Sequence, residues 1–245
     1  MRSVKWWRNL IEHDFSSKIV LITGSSGAVG SRLLEFFMSR GATTIGTYLN
    51  ETNIDIARSK SEGIDLIRCN TMENAEVASL VSSITKKHGR IDILVNTVGG
   101  YIGGKSVVDL EEEEWYKMFG LNLLSAFLIT KHVLPLMLQC DYGKIVHISS
   151  YTGISAQGLD SAYASSKAGL IRFVESVSKE VKDYNITVNC LLPSIIDTRS
   201  NRKMMRDANF KKWVKIDELV DILAFLSSDD SRAITGSAIP VLKPS

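Results

Sequence analysis

Cysteine, histidine and proline are all scarce in this chain of 245 residues. The three cysteines (Cys69, Cys140, Cys190) are odd in number, far apart and free of any CxxC pair. They spell out no disulfide framework, a pattern suited to a reducing compartment. The four histidines (His13, His88, His132, His147) are equally scattered, so no zinc-type ligand set is expected and no metal with it. With four prolines and no Gly/Ser-rich or low-complexity stretch, no internal boundary shows. One domain is favoured, within the size of a single doubly covered sheet. Charge of one sign is also lacking: 29 Lys+Arg stand against 27 Asp+Glu, a net +2, which gives no electrostatic case for nucleic acid. No apolar run approaches the ~20 residues of a membrane span. Met1 to Phe15 carries Arg2, Lys5 and Arg8 but no apolar signal-peptide stretch, so a cytoplasmic protein is expected. Residues 1–15 read as an N-terminal extension, with the domain over 16–245. Trp6 and Trp7 predict a short helix packed on the domain or on a partner subunit, with contact to a membrane surface as the alternative.

What is present is an alternation of short apolar runs and helical patterns. Lys18–Thr23, Thr43–Tyr48, Ile64–Cys69, Ile91–Asn96, Lys144–Ser149, Ile186–Leu191 and Ser237–Val241 have strand length. Helical spacing covers Ser31–Arg40, Glu73–His88, Glu111 to about Gln139, Ser161 to about Tyr184, and Asp217–Ser227. Strands that are apolar throughout, separated by helices, predict an α/β fold: a doubly wound parallel sheet of about seven strands with helices on both faces. Its ligand crevice lies at the carboxyl ends of the strands. The first segment there is Thr23-Gly-Ser-Ser-Gly-Ala-Val-Gly30, between a strand and a helix. Such a turn brings backbone close to a pyrophosphate, whose charge is held by the helix N-terminus. Tight turns need glycine in any case, so the strand–turn–helix context carries the dinucleotide reading.

Thr23-Gly24 with Gly30, Asn96-Thr-Val-Gly99, Asn122, Ser149-Ser150, Tyr163-Ala-Ser-Ser-Lys167 and Pro193-Ser-Ile-Ile-Asp-Thr198 follow one another in the order of the short-chain dehydrogenase/reductase family. The chain resembles that family from about Ser17 to Val241. It departs from the common patterns where Ala28 fills the middle glycine's place, where Thr97-Val98 replaces Asn-Ala, and where Ser194 follows Pro193 instead of Gly. The resemblance implies a nicotinamide dinucleotide held by Gly24, Ser25, Ser26, Ala28, Val29, Gly30, Tyr48, Asn70, Asn96, Gly99, Tyr163, Lys167, Pro193, Ile195, Ile196 and Thr198. It implies a catalytic set of Ser150, Tyr163 and Lys167, with Asn122 holding a water that links Lys167 to solvent.

The chemistry agrees with that set. Tyr163 and Lys167 are one helical turn apart and share a face. A phenol of ordinary pKa about 10 is a poor base at neutral pH, and a neighbouring ammonium and an oxidised nicotinamide ring are cations that would lower it. Ser150 closes a strand and could hold the carbonyl oxygen as an oxyanion-type donor; spacing favours it over Ser149. A bare Tyr–Lys pair could also be an ordinary amphipathic helix surface, and Asn122 could simply cap or kink its helix.

Gly46-Thr-Tyr-Leu-Asn50 offers no carboxylate for the adenosine ribose hydroxyls, which tilts the expectation to NADP(H) over NAD(H). On the substrate side, Gly99-Gly-Tyr-Ile-Gly-Gly104 and Asn201-Arg-Lys-Met with Phe210 and Trp213 are similar to dihydropteridine reductases, which would cast Tyr101 as a platform for a flat ring. The Gly46-Thr47 strand end is shared with the β-ketoacyl carrier-protein reductases. A lid over about 194–216 carries seven basic residues between Arg199 and Lys215 against one acid, Asp207. That is either a solvated face or a sign of an anionic substrate. The expected activity is reduction of a small-molecule carbonyl or 3-oxoacyl substrate, with Tyr101, Ser150 and Tyr163 touching it. Reduction of a pterin-like heterocycle is the alternative, and a dinucleotide-sensing scaffold is the alternative of another class. Apolar positions on the long helix (Trp115, Phe119, Leu123, Phe127) predict a homodimer or homotetramer.

Overall fold

A computed structural model describes residues 13–50 and 64–243. The expected helix around Trp6 and Trp7 lies outside the described residues. Seven strands form one sheet: β1 (Ile19–Thr23), β2 (Thr43–Tyr48), β3 (Asp65–Arg68), β4 (Ile93–Asn96), β5 (Gly143–Ile148), β6 (Ile186–Pro193) and β7 (Ala238–Val241). Their order is β3-β2-β1-β4-β5-β6-β7, and every neighbouring pair is parallel. The chain leaves β1 towards β2 and β3 and returns on the other side to β4. The crevice therefore opens between the ends of β1 and β4, beside the glycine turn.

Helices cover both faces, which is why the strands are apolar throughout. Along β1, Leu21 points to one face while Val20 and Ile22 point to the other. The Leu21 face is covered by α2 (Asn74–His88), α4 (Ser125–Cys140) and α5 (Ser161–Glu180), through Leu80, Ile84, Ile129, Val133, Leu170 and Val174. The opposite face is covered by α1 (Ala28–Ser39) and α7 (Ile216–Ser227), through Leu33, Leu34, Phe37, Leu219 and Leu223. Phe15, the last residue of the N-terminal extension, is buried against Phe37 with ring centroids 4.8 Å apart.

Two helices differ from the sequence reading. The helix expected from Glu111 is broken: α3 (Glu112–Phe119) runs into a π turn (Gly120–Leu124) before α4 begins. Ser125 N–H reaches back five residues to the Gly120 carbonyl, and the extra residue turns Asn122 into the protein interior. The span Glu112–Cys140 is long and apolar enough to cross a membrane by length and composition. Its Ala126, Leu128, Ile129, Val133 and Met137 are buried, as in a core helix. The helix expected to reach Tyr184 ends at Glu180.

Beneath the crevice a polar chain crosses the sheet. Thr23 Oγ1 donates to Asn96 Oδ1, which also accepts from Val98 N–H at 3.3 Å. With that oxygen occupied, the Asn96 amide nitrogen faces His147 Nδ1 at 3.2 Å and donates to it. The imidazole proton is thereby placed on Nε2, which donates to Thr130 Oγ1 at 3.1 Å. His147 is fully buried, and burial with the nearby Lys167 cation pushes its pKa down to about 3.

This fixes a pH dependence with a definite sign. The folded protein keeps His147 neutral, while the unfolded chain takes up a proton below about pH 6.5. Stability contributed by the neutral ring is complete above that pH and falls towards about pH 3, by about 1.4 kcal/mol per unit. Comparing thermal unfolding of the wild type and His147→Asn at pH 7, 6 and 5 should show a steeper acid loss in the wild type. Parallel pH profiles would refute it.

Candidate active site

The glycine turn closes directly onto α1. A Cβ on Gly30 would lie 2.5 Å from the Gly24 carbonyl oxygen and 2.7 Å from Ser25 Cα, so the helix start and the turn touch backbone to backbone. The N–H groups of Ala28, Val29 and Gly30 open α1 towards the crevice, the cradle a pyrophosphate requires. Ser25 is a correction. Its N–H and its hydroxyl both donate to the Thr47 carbonyl at 2.8 Å, so it ties the turn to β2 and has no donor left for a dinucleotide. Asn96 commits its side chain to the cross-sheet network, which leaves its main chain to face the crevice.

Around the crevice, Tyr48 ends β2 half-buried and Asn70 follows β3, its Oδ1 accepting from Met72 N–H at 3.1 Å. Ser26 borders the turn, and Gly99 passes above Lys167, where an added Cβ would be 3.2 Å from Nζ. Pro193 is buried at the end of β6. Ile195 is exposed, whereas Ile196 packs on the core and pairs with Val214, so only the former is free to cover a ligand. Thr198 accepts from Asn201 N–H at 3.1 Å and opens α6 (Arg199–Met204).

Ser150, Tyr163 and Lys167 converge at the carboxyl end of β5. Lys167 is buried; Nζ donates to the Ile148 carbonyl at 2.9 Å and lies 5.9 Å from the Tyr163 ring centroid. Burial pushes its ammonium pKa down to about 8. Ser150 Oγ accepts from Thr152 N–H at 3.2 Å, and its hydroxyl favours the anion of the nearby Tyr163 phenol. The Tyr163 pKa is raised, chiefly by burial; Ser150 opposes the shift and the Asp160 charge adds a smaller push upward. These influences act on the chain by itself; the lowered phenol expected from the sequence needs the oxidised nicotinamide ring as well as the ammonium.

Asn122 is fully buried by the π turn. Its Oδ1 accepts from Gly100 N–H at 3.0 Å, while Nδ2 donates to the Gly100 carbonyl at 3.1 Å and to Ser166 Oγ at 3.0 Å. The side chain thus pins the loop after β4 to α5.

That loop leans over the phenol. Tyr101 meets Tyr163 edge-on, with centroids 4.9 Å apart and rings at 83°, and donates from its hydroxyl to Asp160 Oδ1 at 2.8 Å. Gly104 N–H donates to the Leu159 carbonyl at 2.9 Å. A Cβ on Gly103 would lie 2.3 Å from both the Tyr101 hydroxyl and Asp160 Oδ1, so a side chain there would displace that pair. Tyr101 is therefore a wall beside the phenol, tied at its tip and exposed on its other side. Asp160, one turn before Tyr163, escaped the sequence reading; only its i−3 position marked it.

Residues 18–209 match the sequence profile of the short chain dehydrogenase family. The chain is 31% identical to the 3-oxoacyl-[acyl-carrier-protein] reductase of Thermotoga maritima over 236 residues, covering 91% of this chain and 96% of that one. It is 32% identical to the enzyme of the same name from Escherichia coli over 240 residues, covering 93% and 97%. Among solved structures, a short-chain type dehydrogenase/reductase from Mycobacterium ulcerans superposes with a TM-score of 0.88 at 20% identity, over 93% of this chain and 89% of that one. Levodione reductase does so at 0.87 and 22%, over 94% and 97%, and both show the same fold. The chain belongs to the short-chain dehydrogenase family, and is an NAD(P)-dependent oxidoreductase acting on carbonyl or hydroxyl groups.

Proposed function

We propose that this enzyme reduces the ketone of a 3-oxoacyl substrate, with NADPH preferred over NADH. The observation that carries the reading is the convergence of Ser150, at the end of β5, with Tyr163 and Lys167, one turn apart on the helix packed against that end. The 3-oxoacyl reductases aligned almost end to end with the chain support the substrate class. A bound nicotinamide dinucleotide, cradled by the turn from Gly24 to Gly30, would supply the hydride at its ring carbon. Ser150 would orient the ketone oxygen, and Tyr163 would give that oxygen its phenolic proton as the carbon receives the hydride. Lys167 would stabilise the phenolate left behind and hold the ribose hydroxyls, and Asn122 would keep the Gly99–Gly100 loop in register above them. Thr198 and Ile195 would bound the nicotinamide, with Tyr101 walling the substrate side. A dinucleotide-sensing scaffold would need none of the three catalytic groups, and all three are present. The apolar exposure of Leu124 and Phe127 on the long helix supports a homodimer or homotetramer built on that face.

The direct test follows NADPH absorbance with an acetoacetyl thioester and a panel of ketones. Tyr163→Phe should keep the fold and nucleotide affinity but lose 10²–10⁴-fold in kcat, the range of general acid–base help. Retention of more than about a tenth of turnover, with a deuteride isotope effect showing chemistry to be rate-limiting, would remove Tyr163 from the mechanism.

Cofactor preference follows from the missing carboxylate after β2. Fluorescence titration should give a lower Kd for NADPH than for NADH; equal or tighter NADH binding refutes the preference.

The phenol is faced by Lys167 and Asp160 from its own helix, Ser150 from β5 and Tyr101 from the loop. Alcohol oxidation needs the phenolate, so its rate rises as pH passes the phenol pKa. Removing the Asp160 charge lowers that pKa, so Asp160→Asn should move the rate–pH midpoint to lower pH. An unmoved or upward midpoint argues against the assignment.

A further inference from the structure

The lid between β6 and α7 concentrates charge that the proposed hydride chemistry leaves unused. Residues 199–215 hold seven basic side chains against one acid, an excess of six, in a chain whose whole excess is two. The rest of the protein is therefore net negative. The lid is also a fixed object: Asp197 N–H donates to the Val214 carbonyl at 2.8 Å and Val214 N–H to the Ile195 carbonyl at 3.0 Å, joining its two ends. Asp197 answers part of the charge, taking Arg202 at 2.5 and 2.8 Å and Lys215 as well. These cations hold its carboxyl far below the ordinary range.

Arg199, Lys203 and Arg206 have no carboxylate partner among the described residues. With Thr198, Arg202 and Asp197 they line one open cavity of about 670 Å³. Arg199 and Lys203 are like charges four residues apart on one short helix, a repulsive placement without an anion between them. Thr198 Oγ1 accepts from Asn201 N–H, which leaves its own proton to donate into the cavity. Two guanidinium forks, an ammonium and a hydroxyl suit the several oxygens and double charge of a phosphate ester, where one carboxylate would leave most of the charge unanswered. The segment that lines the cavity follows β6, the strand paired with β5, whose own carboxyl end leads to Ser150.

We propose that the cavity bounded by Thr198, Arg199, Lys203 and Arg206 is an organic-phosphate subsite, holding the phosphate-bearing end of the substrate whose ketone meets Ser150 and Tyr163. The proposal rests on the ketone-reduction reading for the other end of that molecule.

The test compares two substrates with the same reacting ketone, acetoacetyl-coenzyme A and the uncharged acetoacetyl-N-acetylcysteamine, in the wild type and in an Arg199→Gln/Lys203→Gln/Arg206→Gln variant. The variant should raise KM for the coenzyme A thioester at least tenfold. Its KM for the uncharged thioester, its kcat and its Kd for NADPH should stay within twofold. Added KCl should weaken the coenzyme A thioester in the wild type and much less in the variant. Equal effects on both thioesters, no effect on either, or a weakened NADPH overturns the subsite; the last outcome would give these cations to the cofactor. If the wild type turns over neither thioester, the 3-oxoacyl reading fails, and calorimetry with coenzyme A on NADPH-saturated protein decides the subsite alone. Binding to the wild type that the variant loses upholds it; absence of binding to the wild type overturns it.

Discussion

The buried ammonium of Lys167 is the constraint on which the active-site edge depends. Nζ donates to the carbonyl of Ile148, and one residue later the Lys167 carbonyl accepts from Ser149 Oγ at 2.9 Å. These reciprocal bonds clamp α5 to the last turn of β5. They leave Gly153 so close to α5 that a Cβ would lie 3.0 Å from the Lys167 carbonyl carbon. Ser150 lies between the clamp and that contact, which fixes it against Tyr163. Keeping the ammonium there is costly. Its pKa of about 8 against an ordinary 10.5 corresponds to roughly 3 kcal/mol at neutral pH. A neutral side chain would pack at less cost, so the charge itself is what the site retains.

A second clamp acts from the other side of the crevice. Asn122 takes both polar groups of Gly100, and Tyr101 takes the carboxylate of Asp160, so the loop after β4 is held at two points against α5. Between these points lies Tyr163. Its phenol is subject to opposed influences: burial and the Asp160 charge disfavour the phenolate, while Ser150 favours it. In the chain by itself the proton is held firmly, the state a proton donor needs before a ketone is reduced.

The fold was legible because each face of the sheet is covered, so strand and helix periods were clean. The Ser150, Tyr163 and Lys167 set was legible because one helical turn and one strand end fix it locally. What could not be read depended on packing. The π turn needs Asn122 to be drawn towards Gly100, a contact between residues 22 apart. Ser25 and Asn96 look like ligand contacts in a motif, yet their polar groups are consumed by Thr47 and by the Thr23–His147 network. The phenol pKa also depends on burial and on the Asp160 charge, which only the packed chain brings to bear on it. Asp160 is one more polar residue before a helix until the loop brings Tyr101 to it.

The two buried bases of β5 and α5 are coupled by the same electrostatics. His147 and Lys167 are both sealed from water, and two cations in one low-dielectric interior would repel with little screening. The network resolves this chemically. Because Asn96 donates to Nδ1, protonation of His147 would set an N–H against an N–H, and the imidazole stays neutral as a conduit of hydrogen bonds. The interior beneath the crevice therefore admits one positive charge, and Lys167 carries it. The remaining positive excess is displaced to the exposed lid, where water and mobile anions can screen it. Charge is thus divided by solvation: beside the phenol a desolvated ammonium that is strong at short range, and on the lid a hydrated basic surface whose influence reaches an incoming anion before contact.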